Sequence, residues 1–490
     1  MPGHGVAASA LASGSGRRRR QGATNQNNVE DAMSNNAIHH ALRVDEEKCR
    51  GCCRCMSVCP TDAIRIRNGK PLIFQNRCID CGKCYRACPE SAIRVEQDDF
   101  NEIFKYTRRV ALLPSILKGQ FPETIPKQRI YSELLEMGFT DVFEVGMMWR
   151  VFHLATARYI KNNQVKKPFI SSFCPAVLRL IQTRFPSLLD HVIPMKAPVD
   201  IAALFYRRQL LAQGVPDDEI GTFYVTPCAA KISAVKTPNP HERKILNGVI
   251  NMDYIYNRVW KRIRGEEKSM PPEPLAETLC EKGVLWFLTA GESEYARGRS
   301  LAIDGIANVF EFLENMENEE ISDIDFLELR SCDQSCAGGV LTSCNRFLTV
   351  ERLRNRAERS KNAAPLKDPD RWDDIDDDTE YLVDHIMLGK IKPKPAMKLD
   401  EDMGRAMVKM ERLRKILAFL PGVDCGLCGS PNCQALAEDV VNGDAVLRQC
   451  VFLQKKQVER GQMTLTDAGT ILADVWGQNR LDGASIDLEE

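Results

Sequence analysis

The stretch Leu327–Gly339 reads LELRSCDQSCAGG and places Cys332 and Cys336 four residues apart. The pair precedes Gly338 and Gly339, which let backbone approach something bulky. Two cysteines at this spacing can hold one inorganic cluster from a single loop. Two lone cysteines lie far upstream, Cys174 in SSFCPA and Cys228 in TPCAAK. These four are expected to converge on one buried iron–sulfur site, with the rest of the chain conducting electrons to it.

The chain holds 19 cysteines, most of them in C-x-x-C groupings. In a chain without a secretion signal, such spacing means metal or redox chemistry, not structural disulfides. Cys49, Cys52, Cys55 and Cys59 follow C-x2-C-x2-C-x3-C-P, and Cys78, Cys81, Cys84 and Cys88 repeat it. This is the pattern of bacterial two-cluster ferredoxins, in which the fourth cysteine of each run ligates the other cluster. Cys49, Cys52, Cys55 and Cys88 are therefore expected to hold one [4Fe–4S] cluster. Cys78, Cys81, Cys84 and Cys59 are expected to hold a second. Each run leads into a similar strand-like stretch, TDAIRI and ESAIRV. Zinc is the alternative, but three thiolates within seven residues plus a crossed fourth make a poor tetrahedral frame. A third group, Cys425, Cys428, Cys433 and Cys450, sits in PGVDCGLCGSPNC and beyond. Its glycines and Pro431 suit a backbone wrap around a [4Fe–4S] cluster, and a zinc module remains an alternative reading there. Cys53, Cys280 and Cys344 are left over and receive no role, as small apolar residues.

The elements that must position these ligands follow. From about 100 to 347 apolar strand candidates alternate with amphipathic stretches, which predicts a parallel α/β arrangement. Examples of such candidates are VALLPS (110–115), PFISSF (168–173), TFYVTP (222–227) and GVLWFL (283–288), and DFLELR leads into Cys332. Cys174, Cys228 and Cys332 each close such a strand, where open α/β folds place their sites. The expected organisation is a disordered tail at 1–40, a two-cluster ferredoxin domain at 41–98 and the α/β domain at 100–350. A charged linker at 351–404 (with a short helix at EYLVDHIML), a four-cysteine domain at 405–455 and a tail at 456–490 follow.

Composition sets outer limits. Hydrophobic residues at 44% and charged residues at 27% describe a soluble globular protein of about three domains. The net charge of -1 argues against bulk binding to nucleic acid or anionic membranes. No apolar run reaches the ~18 residues of a spanning helix. Arg17–Arg20 is followed by polar QGATNQNN, which is no secretion signal, so a cytoplasmic location is expected. The acidic run Asp373–Asp378 reads as a solvated surface.

At Cys174, Cys228, Cys332 and Cys336 the chain resembles the [FeFe]-hydrogenase large subunit, over roughly residues 45 to 350. That family reads TSCCPxW, MPCxxK and ExMxCxxGCxxGG; here the loops stand as SSFCPAV, TPCAAK and ELRSCDQSCAGG. The resemblance implies a fold with two sheet-containing lobes around a buried cluster, beside an α+β ferredoxin domain and a small helical Fe–S domain. It implies an H-cluster, a [4Fe–4S] unit bridged through Cys336 to a di-iron unit bearing carbonyl and cyanide. Lys231 matches the lysine that hydrogen-bonds a cyanide, and Glu328 matches the glutamate of the last motif. Four [4Fe–4S] clusters would then be present in all. The domain order resembles the sensory branch of the family (groups C and D), and the lack of a PAS-like continuation favours group D.

Departures from that pattern shape the expected function. Phe173 stands where the family has a cysteine that moves protons to the di-iron site. The acidic residues of the proton path should fall near Leu154–Thr156, and none is there. Thr226 and Arg330 replace two methionines that pack beside the di-iron unit. Losing a general acid or base costs ~10²–10⁴-fold, so slow hydrogen turnover is expected. A replacement route through water, Thr226, Arg330, Asp333 or Ser335 stays open. The first functional reading is a low-turnover hydrogenase that senses hydrogen or redox state. Its partners would be H2 and protons, a ferredoxin or flavoprotein, maturation proteins and a signalling protein. The second is a non-enzymatic iron–sulfur adaptor without the di-iron unit.

Overall fold

The computed structural model describes residues 38–163, 167–237, 245–265, 279–296, 298–318, 321, 323–361, 377–394, 399–400 and 402–478. The basic tail Arg17–Arg20 and most of the acidic run lie outside these residues. Among the described residues no helix is long and apolar enough to cross a membrane.

The ferredoxin-type region is a visible duplication. Each cysteine run winds one short helix, Arg54–Ser57 or Lys83–Ala87. Two antiparallel pairs flank them, Leu42–Val44 with Ile93–Val95 and Ile64–Arg67 with Lys70–Ile73. The duplication extends to backbone conformation. Gly51 and Asp80, Cys53 and Gly82, and Asp62 and Ser91 occupy equivalent places in the two runs, and all six are left-handed.

The α/β domain has two lobes, each with a parallel sheet. The first sheet runs Asp141–Glu144, Arg108–Leu113, Ile220–Thr226, Gly248–Asn251 in spatial order. Its central strand Ile220–Thr226 is buried along its whole length, as a parallel sheet covered on both faces demands. The second sheet orders Ser300–Asp304, Phe326–Arg330, Phe169–Ile170. Helices Pro175–Arg184 and Ile306–Glu317 close a separate apolar core around it. The site lies between the lobes, at the carboxyl ends of Ile220–Thr226, Phe326–Arg330 and Phe169–Ile170.

Four expectations need correction. GVLWFL is not a strand: Glu281–Leu285 is a helical turn, and its apolar residues are buried in the main core. The stretch 351–404 is not a mere linker. Helix Arg346–Lys361 buries Val350, Leu353 and Ala357 in the main core, and helix Asp377–His385 buries Leu382 and Val383 there. Asp378, at the end of the acidic run, pairs with Arg208 and so is not merely solvated. The final segment is not a plain tail either. Helix Leu465–Trp476 packs on the ferredoxin region, where the N–H groups of Asn68 and Gly69 donate to Asp474 and Val475 carbonyls.

The four-cysteine module docks on the same region. Its helices are Met403–Phe419, Cys433–Asn442 and Val451–Glu459. Arg65, fully buried, grips Asp439 through Nε–Oδ2 at 2.6 Å and Nη2–Oδ1 at 3.0 Å. Arg67 adds a 2.9 Å contact to the same carboxylate, and Arg77 pairs with Glu438. Bidentate charge-assisted contacts of this kind fix orientation as well as adding energy.

Candidate metal centre

Three loops bring the dispersed cysteines together. Cys174 and Cys228 each stand immediately before a helix, Pro175–Arg184 and Ala229–Lys236. Cys332 follows its strand, and Cys336 lies in the single 3₁₀ turn Ser335–Gly338. One cavity is lined by all four, together with Phe173, Lys231, Arg330 and Ser335. The cysteines are half-buried because their side chains face this cavity. The turn has no room for side chains at its glycines. A Cβ at Gly338 would lie 1.8 Å from the Asp333 carbonyl, and one at Gly339 would lie 2.3 Å from that of Pro227.

Electrostatics distinguish Cys336 from the other three. Lys231 Nζ donates to its Sγ at 3.4 Å and lies 5.1 Å from the centre of the Phe173 ring. Burial opposes the Lys231 ammonium, yet Cys336 and the neighbouring thiols hold its pKa above the ordinary value. Burial pushes the Cys228 thiol up to about 12 and the Cys332 thiol well above its ordinary value, and the neighbouring thiols push the same way. Four thiolates cannot share such a cavity without a positive centre among them.

Arg330 is the second cation, only 2% exposed. Its guanidinium stacks 3.5 Å over the Phe173 ring. Nε donates to Glu328 Oε1 at 3.2 Å and Nη2 to Glu292 Oε2 at 2.8 Å. Glu328 also accepts the N–H groups of Glu292 and Ser293 at 2.8 and 2.9 Å. Glu328 therefore acts through Arg330 and does not line the cavity. Arg330 Nη1 and Ser335 Oγ are buried without a partner among the described residues. Two such donors beside four thiols fit a bound metal group carrying acceptor atoms. Thr226 does not line the cavity, since its hydroxyl closes on the Cys228 main chain. Asp333 turns away to Arg346 and is half-exposed.

Glu292 escaped the sequence reading. The carboxylates sought near Leu154–Thr156 are absent, but Glu292 arrives beside Thr156 and His153 from another loop and shares a cavity with them. Burial raises its pKa against the pull of Arg330, and its Oε2 accepts the Ser171 hydroxyl at 2.8 Å. The only local signal was GES after an apolar run, which spacing alone cannot interpret.

The other three sets also assemble. Cys49, Cys52, Cys55 and Cys88 line one cavity, as the crossed pattern requires, with unassigned Cys53 at its margin. Cys78, Cys84 and Cys81 each feel the charge of Cys59. Main-chain N–H groups donate to equivalent sulfurs of the two runs. Ala63 donates to Cys59 and Ala92 to Cys88, both at 3.2 Å; Gly51 donates to Cys49 and Asp80 to Cys78. Cys450 feels Cys433 and Cys425, and Cys428 feels Cys450 and Cys425. Cys425 is the one exposed cysteine of the nineteen. Cys280 caps a helical turn and Cys344 accepts from Arg352, so both have structural duties.

The sites are contiguous. Gly82, beside Cys81, packs so closely on Val340 of the last loop that a Cβ would lie 2.5 Å from it. Arg86 donates to the Gly339 carbonyl at 2.8 Å. On the other side, Gly426 of the C-terminal set faces Met56, next to Cys55.

Comparison with known proteins agrees with this layout. Residues 110–257 match the family model of the iron-only hydrogenase large subunit, C-terminal domain. Residues 41–89 match a 4Fe-4S dicluster domain, and residues 420–452 match an Fe–S cluster domain. The chain is a hydrogenase-like iron–sulfur protein. An uncharacterized protein of Methanocaldococcus jannaschii is 34% identical over 59 residues, 12% of this chain, and the match spans only 26% of that relative. An [FeFe]-hydrogenase structure concerned with oxygen inactivation of the H cluster is similar at 14% identity and TM-score 0.44. It covers 60% of this chain and 98% of its own. A variant of [FeFe]-hydrogenase HydA1 from Chlamydomonas reinhardtii is similar at 14% identity and TM-score 0.43, with the same coverages.

Proposed function

We propose that the chain is a low-turnover [FeFe]-hydrogenase that senses hydrogen or redox state. The observation that carries this reading is the Lys231 ammonium on Cys336 Sγ. A plain four-thiolate cluster needs no buried ammonium donating to one of its ligands. Cys174, Cys228, Cys332 and Cys336 would hold a [4Fe–4S] unit, and Cys336 would bridge it to a di-iron unit. That group, when bound, supplies the reversible splitting of hydrogen. Three further [4Fe–4S] clusters would occupy the other sets.

The chain's own residues bind, insulate and tune. Phe173, 2% exposed, excludes water beside Cys336 and offers no exchangeable proton. Arg330 is a fixed charge that cannot act as a base. Glu292 holds a proton more readily than an ordinary carboxyl, but its hydroxyl contact, Ser171, leads only to the Phe173 main chain. Proton supply therefore stops one side chain short of the site, which suits a sensor more than a metabolic enzyme. Exposed Cys425 places the C-terminal set where a ferredoxin or flavoprotein partner has access.

Infrared spectroscopy after co-production with maturation proteins tests this. Metal carbonyl and cyanide bands are expected, and their absence would overturn it. One observation favours the second reading, an adaptor without the di-iron unit. The Arg330–Phe173 stack occupies the space lining the same cavity. Absent bands with all four sets still loaded would select that reading.

A further inference from the structure

We infer that the cleft between the turn Ile116–Gly119, the start of helix Lys127–Glu136 and helix Arg346–Lys361 binds a multivalent oxyanion of the phosphate class. This site is separate from every cysteine set. It is an open cleft of about 190 Å³, lined by Lys118, Lys127, Arg352, Arg356, Arg359 and Glu123.

The charge there is unbalanced and held in place. Among the described residues five cations line the cleft against one lining carboxylate, Glu123, which pairs with Arg359 at 2.9 Å, and one beneath it, Glu144, which pairs with Arg356. Arg356, 5% exposed, is pinned by both Glu144 oxygens at 2.8 and 3.0 Å. Arg352 Nη1 is anchored on the carbonyls of Gly119 and Gln120 at 3.3 and 3.2 Å. Lys118 Nζ donates to the Ile125 carbonyl at 2.6 Å. These side chains do not splay into solvent as surface cations normally do. Their convergence is costly, and it shows: burial and then Arg356, Arg359 and Arg352 push Lys118 down to about 8, with Glu123 opposing. Bringing like charges together costs stability, and a bound anion offsets that cost.

The chemistry of the donors selects the ligand class. Planar guanidinium groups on one wall and ammonium groups on the other suit a tetrahedral oxyanion with several acceptor oxygens. Helix Lys127–Glu136 begins at the cleft, and its first N–H groups add positive partial charge. The cleft also adjoins the loop that follows Cys336. Gln120 Oε1 accepts the N–H groups of Ser343 and Cys344 at 2.9 and 2.8 Å.

Calorimetric titration of the cluster-loaded full chain at low ionic strength tests this. The probes are inorganic phosphate, pyrophosphate and ATP, with chloride as the control. Saturable binding of pyrophosphate is expected. Arg359→Glu, at a position largely exposed and therefore tolerant, should weaken it by about tenfold or more. Lys118→Gln should weaken it similarly, and Arg460→Glu on the C-terminal module should leave it unchanged. Phosphate binding as tight as ATP assigns the site to the free ion, and tighter ATP binding assigns it to a nucleotide. No saturable binding, or binding indifferent to both cleft variants, overturns the proposal.

Discussion

The ferredoxin cysteine runs and the Cys336 cavity solve one problem in opposite ways. Each run supplies three ligands from one short stretch of chain that leads into a single short helix, and main-chain N–H groups donate to its sulfurs. The cavity draws four ligands from three loops on two sheets, and its donors to sulfur include a buried side chain, Lys231. The first kind of site is written in local spacing. The second exists only once two lobes have closed around it, and its electrostatics come from residues remote in sequence.

Loss of Cys228 gives the largest expected effect on this contrast. Cys228→Ala should remove the metal of the Cys336 cavity and reduce hydrogen turnover to background. The ferredoxin-type electron paramagnetic resonance signals should persist. Iron counting on the variant checks it, and collapse of all signals together would show that the sites are not independent. Next, Phe173→Cys restores an exchangeable proton beside Cys336. Hydrogen turnover should rise by ~10²–10⁴-fold, read by gas evolution with a chemical reductant. No gain in a protein that shows the carbonyl bands would mean that Arg330, not Phe173, blocks the proton supply.

The ferredoxin side has its own test. Asp439→Ala leaves Arg65 buried and unpaired, and such losses cost about 3–5 kcal/mol. Chemical denaturation should show the C-terminal module detaching first, while the Cys336 cavity keeps its spectrum. The smallest effect concerns Cys53, which adopts φ 60 where the duplicated run has Gly82. A left-handed non-glycine residue costs about 1–2 kcal/mol, so Cys53→Gly should raise stability by about 1 kcal/mol in thermal unfolding. An unchanged or lower melting temperature would mean that its thiol contributes to the cavity of the first set.

Legibility followed the same divide. The two runs, their crossed assignment and the strands ending at Thr226 and Arg330 could be read from spacing and apolar pattern. GVLWFL could not, because a short buried helical turn and a buried strand share the same apolar run. Helix Leu465–Trp476 carried no motif, and its role is defined by the backbone of Asn68 and Gly69 that it meets. Arg330 was visible as a departure, but its fate depended on Glu292, a partner 38 residues away. Thr226 was expected at the cofactor and turned out to brace its own loop. The basic cleft was invisible because Lys118 and Arg356 are brought together only by packing of helix Arg346–Lys361.

The most direct test of the central claim, that Cys336 is the one thiolate bridging to a second metal unit, is an infrared comparison. Matured full-length protein should be measured beside Cys336→Ala prepared in the same way. Carbonyl and cyanide bands are expected in the first and absent from the second, with ferredoxin-type signals equal in both. Bands of equal intensity in Cys336→Ala, or none in the parent protein, would contradict it.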